Sequence, residues 1–305
     1  MDLSIIIVNY NTKKLTENCI NSVIRNSQNL SYEIILVDNA SEDSSYEYLQ
    51  ELFPNLKIIA NTENLGFAKA NNQGIKEAKG KSILLLNSDT EFVEDCLSLL
   101  LKFLNNTTFA GIVGCKVLNT DQTLQESVYH FPTIWSELVF FTKVIIKNFW
   151  DPITYFHKMK YWGHNVIREV DCVSGCFMLI KNEIFSKIGY LDEKFFMYYE
   201  DAEFCKRLKS NTNYKVFYHP GTKIVHLQGK SIKVISFETL KECLKSAIFY
   251  FTKVNGRKTG LAFLCLCKFI WLIEMLLFLP FIFINVFRKK LNMIGELVKI
   301  HAAIN

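Results

Sequence analysis

Glycine and proline are scarce in this chain, with 13 and 5 in 305 residues. That excludes collagen-like, linker-like and low-complexity classes. Nine cysteines give no CxxC pair: Cys172 and Cys176 stand four apart, and Cys265 and Cys267 lie in an apolar run. Neither a zinc site nor a disulfide scaffold is expected, and a reducing cytosol is the simpler setting. No G-x-G-x-x-G follows the first apolar run, which disfavours hydride transfer on a Rossmann fingerprint. The absence of G-x-x-x-x-G-K-[ST] excludes a P-loop nucleotidase. MDLSIIIVNYN has no basic cluster before its short apolar run, so a secretory signal is not expected. No internal repeat is visible.

What is present is apolar material. Half the residues are hydrophobic, 25 of them Phe, and 21% are charged, so a sizeable core is available and general disorder is not expected. The net charge of +5 is unevenly placed. Residues 241–305 hold ten Lys/Arg against three Glu, a surplus of seven that leaves residues 1–240 at −2.

The first 120 residues alternate strand-like runs with helical patterns. Leu3–Val8, Glu33–Val37, Leu56–Ala60 and Ser82–Leu86 are apolar runs of strand length, as in parallel strands covered on both faces. Leu15, Cys19, Ile20, Val23 and Ile24 recur at helical spacing, and Ala68–Ala78 and Asp95–Leu104 read as further helices. Ser41 is placed to cap a helix with Glu42 and Asp43 in its first turn. This alternation predicts an α/β fold with a mostly parallel sheet. Further along, VSGCFMLI reads as a small-residue turn feeding a strand. Tyr214–Phe217 and Lys223–His226 read as short strands, and Ser236 as the cap of a helix carrying Leu240, Leu244, Ile248 and Phe251.

Ligands of open α/β sheets bind beyond the carboxyl ends of the strands. Polar residues collect there: Asn9-Tyr10-Asn11, Asp38-Asn39 and Asn87-Ser88-Asp89. Any one of these could merely serve a turn or a cap; three, each ending a different strand, point to a ligand. Asn87-Ser88-Asp89 resembles a D-x-D element, whose carboxylates suit Mg²⁺ or Mn²⁺ bridging diphosphate oxygens. Glu200-Asp201 follows the aromatic stretch Phe195-Phe196-Met197-Tyr198-Tyr199, where a carboxylate could act as a general base with a raised pKa. The bland alternative is an acidic helix start. His226 ends a strand, as many structural histidines do, and is also available as a metal ligand.

The segment Leu261–Phe287 is long enough to cross a bilayer, but Lys268 and Glu274 interrupt it and Pro280 would kink it. With Arg257, Lys258, Arg288, Lys289 and Lys290 at its flanks, it fits an interfacial helix pair at least as well as a span. A nucleic-acid partner is not expected, because this basic tail is apolar rather than evenly basic.

The ordered set IIIVNYN, VDNAS, NLGFAKANNQGI, LLLNSDT, VSGCFMLI, FFMYYEDAEFCKRL and KIVHLQGKS resembles the bacterial rhamnosyltransferase-type branch of glycosyltransferase family 2, over roughly Leu3 to Ser231. The resemblance implies a GT-A fold, with a nucleotide-binding half at 1–120 and an acceptor half at 121–235; the apolar, basic stretch at 236–305 reads separately as a helical membrane-associating tail. It implies inverting, metal-dependent transfer from a nucleotide-sugar. The donor would be a dTDP- or UDP-sugar and the acceptor a saccharide or a lipid-linked saccharide.

Position by position, it assigns Asn9, Asn11 and Asp38 to the nucleotide pocket, with Asp38 contacting the base. Asn64, Gly66 and Asn71 would line base, ribose and phosphates, and Asn87 would stand at the donor. Asp89 and His226 would hold Mn²⁺ or Mg²⁺, and Asp201 would be the general base. Asn87 replaces the first acid of D-x-D, so fewer anionic ligands hold the metal and the donor diphosphate is expected to complete its shell. The alternative reading is a nucleotide-sugar-binding module without transferase activity, which would have no need of Asp201 as a base.

Overall fold

A computed structural model describes residues 1–143, 152–227, 237–278 and 285–298 of the protein. The chain divides into two compact units. The first takes Met1–Phe131, Trp162–Phe196 and the described residues from Glu200 to 227; the second takes the described parts of 132–161, Met197–Tyr199 and the carboxy-terminal helices.

Strands β1 (Leu3–Asn9), β2 (Tyr32–Asp38) and β3 (Lys57–Ala60) alternate with helices α1 (Lys13–Asn26), α2 (Ser45–Leu52) and α3 (Gly66–Glu77). Then come β4 (Ser82–Asn87), β5 (Thr90–Phe92), α4 (Cys96–Asn106), β6 (Ala110–Leu118) and β7 (Val128–Tyr129). The second unit contributes α5 (Ile134–Lys143) and α6 (Pro152–His157). The first unit resumes with β8 (Arg168–Val170), β9 (Cys172–Val173), β10 (Phe177–Lys181), α7 (Glu183–Ile188), α8 (Glu200–Asn211) and β11 (Lys215–His226). Helices α9 (Phe237–Asn255), α10 (Arg257–Phe278) and α11 (Asn285–Val298) belong to the second unit.

The main sheet runs β3-β2-β1-β4-β10-β6-β11-β5, with β8 on β11. Its β3-β2-β1-β4 portion is parallel; β10 enters antiparallel to both β4 and β6, and β11 lies parallel to β6. The strands are apolar because both faces are covered. Leu3, Ile5 and Ile7 enter one core with Cys19, Ile20 and Val23 of α1 and Leu97, Leu100, Leu101 and Leu104 of α4. The alternate residue Ile6 points to α3, where Gly74 lets the helix close on the strand: a Cβ there would lie 2.5 Å from Ile6 Cγ2.

Two local expectations are corrected. Ser41 caps no helix. α2 starts at Ser45, and the Ser41 backbone N–H instead donates to Asp38 Oδ2 (3.1 Å), closing a turn around that carboxylate. The two short strands ending at His226 are one strand, β11, with a register irregularity between His219 and Lys223. Ser236 lies outside the described residues.

In the second unit, α9 buries Leu240, Leu244, Ile248 and Phe251 along one stripe, as the periodicity requires. α10 presents two different apolar faces. Phe263, Leu264, Cys267 and Trp271 are buried together with Glu274, whereas Leu266, Phe269, Leu272, Ile273, Leu276 and Leu277 are exposed.

Gly74→Ala tests the α3–β1 approach. The substitution favours the helix by about 1 kcal/mol, but forcing a methyl against a β-branched strand residue costs about 1–3 kcal/mol. Net destabilisation is expected, seen as a lower denaturant midpoint with an unchanged m-value.

Candidate active site

The site forms where the parallel strands end. Register places Asn9 beside Asp38 and Val8 beside Asn87, so three polar strand ends meet at one edge. Asn9 has no exposed surface. Its amide nitrogen donates to Asp38 Oδ1 (2.7 Å) and Ser41 Oγ (2.9 Å), and its oxygen accepts from the hydroxyls of Thr12 and Thr16 (2.7 Å each). With all four hydrogen-bonding positions of its side chain in use, Asn9 orients Asp38 at the strand end. Asp38 is buried, with one oxygen held by Asn9 and the other by Ser41. Asn11 is exposed at φ 53°, and its oxygen accepts from the Glu42 N–H (2.7 Å).

The second motif is a polar turn built on Asn39. Its oxygen accepts from the Leu65 N–H (3.0 Å), and its nitrogen donates to Asn64 Oδ1 (2.8 Å), which also accepts from the Gly66 N–H (3.0 Å). Asn64 thus shapes the turn into α3. Gly66 sits at φ 78°, where a Cβ would lie 2.3 Å from the Phe196 carbonyl oxygen, and Phe67 N–H donates to that same oxygen (2.7 Å). Glycine is required twice over, by conformation and by this approach. Asn71 is buried and bonds the Phe67 carbonyl of its own helix (2.9 Å). Its neighbour Asn72 makes the longer connection, donating to the Leu191 carbonyl (2.8 Å) and accepting from the Leu191 N–H (3.1 Å). The α3 motif and the segment before α8 are therefore one assembly.

The third group joins β4, β5 and β11. β5 pairs antiparallel with β11, setting Thr90 against His226, and the Leu227 N–H donates to the Asp89 carbonyl (2.8 Å). Asp89 Oδ1 then lies 3.0 Å from His226 Nε2, with Asn87 Nδ2 at 3.4 Å from the same nitrogen. The Asp89 side chain keeps 25% of its surface, while His226 keeps 7%. These side chains suit a hard divalent cation: adjacent ligands on an octahedral ion with bonds of about 2.1 Å stand roughly 3 Å apart. Two protein ligands alone are few, and among the described residues no group of three or more His, Cys, Asp or Glu could hold a metal by itself.

The fourth group is Glu200-Asp201 at the start of α8. Asp201 Oδ2 accepts from the Gly175 N–H (3.1 Å), and Oδ1 from the Ala202 N–H (2.7 Å). The next residue, Cys176, accepts the Asn87 N–H (3.1 Å), which ties the turn under Asp201 to the end of β4. Asp201 stays half-buried. Burial raises its pKa, and the donated N–H groups pull the other way. Glu200 is buried with Oε2 unpartnered, and burial and then the Asp201 charge push its carboxyl well above the usual range. Burial weighs more heavily on the Glu200 carboxyl than on Asp201, which retains two backbone N–H donors.

Reading by sequence did not single out Asn72, Gln125 or Gly175, and used Asn39 only as a strand end. The signals for Asn39 and Asn72 were slight: each directly follows a residue that was selected. Gln125 had none, since its role depends on a contact 101 residues away.

The mannosyltransferase PcManGT from Pyrobaculum calidifontis, in complex with GDP-Man and Mn²⁺, superposes with a TM-score of 0.56 at 15% identity, over 97% of this chain and 84% of that one. The likeness is one of fold, and the fold is GT-A. In sequence, the low-salt glycan biosynthesis hexosyltransferase Agl10 of Haloferax volcanii is 29% identical over 213 residues, which are 68% of this chain and 62% of Agl10. The rhamnosyltransferase WbbL of Escherichia coli K12 is 26% identical over 249 residues, or 79% and 88% of the two chains. The profile of Glycosyl transferase family 2 matches residues 4–189, more than half of the chain, and the protein belongs to that family.

Proposed function

We propose that the protein is an inverting glycosyltransferase. It moves a hexose, rhamnose foremost, from a nucleoside diphosphate donor to a saccharide or lipid-linked saccharide in surface polysaccharide assembly. dTDP is the favoured nucleotide and UDP the runner-up. The observation that carries the reading is the meeting of the Asp89–His226 pair and a half-buried Asp201 at linked strand ends. The names of Agl10 and WbbL support the sugar class.

Asp89 and His226 would hold Mn²⁺ or Mg²⁺, which, when bound, offsets charge gathering on the departing diphosphate. Asp201, held by the Gly175 and Ala202 N–H groups, takes the proton from the acceptor hydroxyl as that oxygen bonds to the anomeric carbon. The bond from that carbon to the diphosphate oxygen breaks on the opposite face. One displacement inverts the configuration and leaves no covalent sugar on the protein, so a single base suffices.

Asp201→Asn should bind donor normally and lose about 10²- to 10⁴-fold in turnover. Since the base acts ionised and its pKa is raised, activity should fall with decreasing pH through a value above the ordinary aspartate range. Glu200→Gln, which mimics the protonated neighbour, should leave that acid limb in place. Profiles of kcat/KM against pH check both; near wild-type turnover in Asp201→Asn removes it from the role.

Asp89→Ala should weaken Mn²⁺-dependent donor binding, and His226→Ala should do so less, a neutral imidazole attracting a cation less than a carboxylate. Calorimetry with dTDP- and UDP-sugars, with and without Mn²⁺, measures both effects and ranks the nucleotides.

We further propose that the second unit rests on an anionic membrane surface, at the cytoplasmic face of the inner membrane, through residues of about 255–290. Helix Arg257–Leu277 is long and apolar enough to cross a bilayer, with a mean hydropathy of 2.1. Its buried Glu274 and Trp271 face protein, however, while Phe269, Leu272 and Leu276 remain exposed, and Trp135 and Phe156 of α5 and α6 are exposed too. That distribution supports a helix lying on the bilayer. Phe269→Ser with Leu272→Ser and Leu276→Ser should lower binding to phosphatidylglycerol-containing vesicles at least tenfold in co-sedimentation and leave donor binding intact. Equal binding by wild type and triple variant would refute the lipid contact.

A further inference from the structure

Gln125 stands seven residues past the end of β6 in the loop leading to β7, in a segment that carries no motif. It is buried, and its amide faces His226 Nδ1 at 2.6 Å through Oε1. The assignment of that oxygen does not depend on choosing a flip. Gln125 Nε2 lies 3.2 Å from the backbone carbonyl of His226, which can only accept, so the nitrogen must be on that side and the oxygen on the other. A second acceptor, Asn119 Oδ1, takes the remaining amide hydrogen at 2.8 Å. Asn119 is itself fixed, donating from Nδ2 to Thr123 Oγ1 (2.9 Å) and pairing through its backbone with Thr123. The Gln125 N–H donates to the Val117 carbonyl (2.9 Å), anchoring the residue to the carboxyl end of β6.

The consequence falls on the other side of the imidazole. With Nδ1 donating to Gln125, the neutral ring carries its lone pair on Nε2, the nitrogen that meets Asp89 Oδ1 at 3.0 Å. At 3.0 Å, Nε2 and Asp89 Oδ1 form a hydrogen bond when Nε2 carries a proton, and stand as two adjacent acceptors, spaced as neighbouring ligands of one cation, when it carries the lone pair; the Asn87 amide at 3.4 Å is a weak partner for that nitrogen. We propose that Gln125 is a positioning residue for cation binding: oriented by the His226 carbonyl and by Asn119, it holds the imidazole in the Nδ1–H tautomer so that Nε2 is presented to a divalent cation beside Asp89. This rests on the reading of Asp89 and His226 as the cation site. Hydrogen-bonded partners of ligating histidines characteristically change metal affinity by 10- to 100-fold.

The test uses the full chain and reads cation binding directly, by loss of the free Mn²⁺ electron paramagnetic resonance signal in the presence of UDP or dTDP. Gln125→Leu should weaken Mn²⁺ binding about 10- to 100-fold, while Gln125→Glu, which keeps an acceptor on Nδ1 but loses the donor to the His226 carbonyl and Asn119, should bind more tightly than Gln125→Leu. His226→Ala added to Gln125→Leu should cost little more than His226→Ala alone, because Gln125 acts through that ring. Wild-type affinity in Gln125→Leu, equal losses in the Leu and Glu variants, or full additivity with His226→Ala would each overturn the inference. Failure of the wild-type protein to take up Mn²⁺ would instead remove the cation site itself, and the role of Gln125 with it. Matching thermal melts across the variants separate these results from misfolding.

Discussion

The in-register parallel pairing of β1 with β2 and β4 governs the candidate site. Because Asn9 sits beside Asp38 and Val8 beside Asn87, three strands end together and must leave their polar residues at one edge. That edge is buried enough that an unpaired polar group would cost roughly 1–3 kcal/mol. Asn9 meets the requirement for its surroundings, linking Asp38, Ser41, Thr12 and Thr16 through one amide. The glycine at 66 and the asparagines at 39, 64 and 72 extend the same logic to the next motif, so that a long loop before α8 is held by α3 rather than by sheet pairing.

The chemistry proposed for this edge needs opposite electrostatic settings at nearby places. A cation site gains from anionic, partly hydrated ligands, and Asp89 retains exposed surface. A general base gains from removal of water, and Asp201 sits in a turn where burial raises its pKa while two backbone N–H groups keep ionisation attainable. Glu200 adds a buried carboxyl whose pKa is pushed well up by burial and then by the Asp201 charge, which favours a single negative charge over two at the head of α8. The amino end of a helix favours that single charge.

The second unit solves a different problem. α5 and α9 supply Phe141, Tyr250 and Phe251 to a core with Phe263 and Trp271 of α10. One face of α10 is thereby used up, and the charge of Glu274 goes with it. Within the same unit Tyr199, directly before the Glu200-Asp201 pair, donates its hydroxyl hydrogen bond to the buried Glu137, and the Met197 carbonyl accepts from Ser246 Oγ (2.7 Å). Tyr198 and Tyr199 both adopt positive φ, 71° and 68°. The contact with Glu137 holds Tyr199 in a conformation that tyrosine seldom takes by itself.

The sequence by itself determined the strand-helix order of the first 120 residues, because two-sided burial demands uninterrupted apolar runs and one-sided burial demands helical periodicity. It also determined which strand ends carry Asn and Asp, and the glycine at 66. Tertiary structure decided what those residues do. Nothing local distinguishes Asn9, which is internal and saturated, from Asn11, which is exposed; only the neighbouring strand and α1 make that difference. Ser41 looked like a helix cap because caps and carboxylate-closing turns use the same hydroxyl residues, and the choice fell to Asp38. The partition of α10 into a protein-facing and an exposed face is invisible in a run whose apolar residues recur on every side. The pairing of Gln125 with His226 spans 101 residues, beyond any periodicity, and exists because β11 returns beside β6.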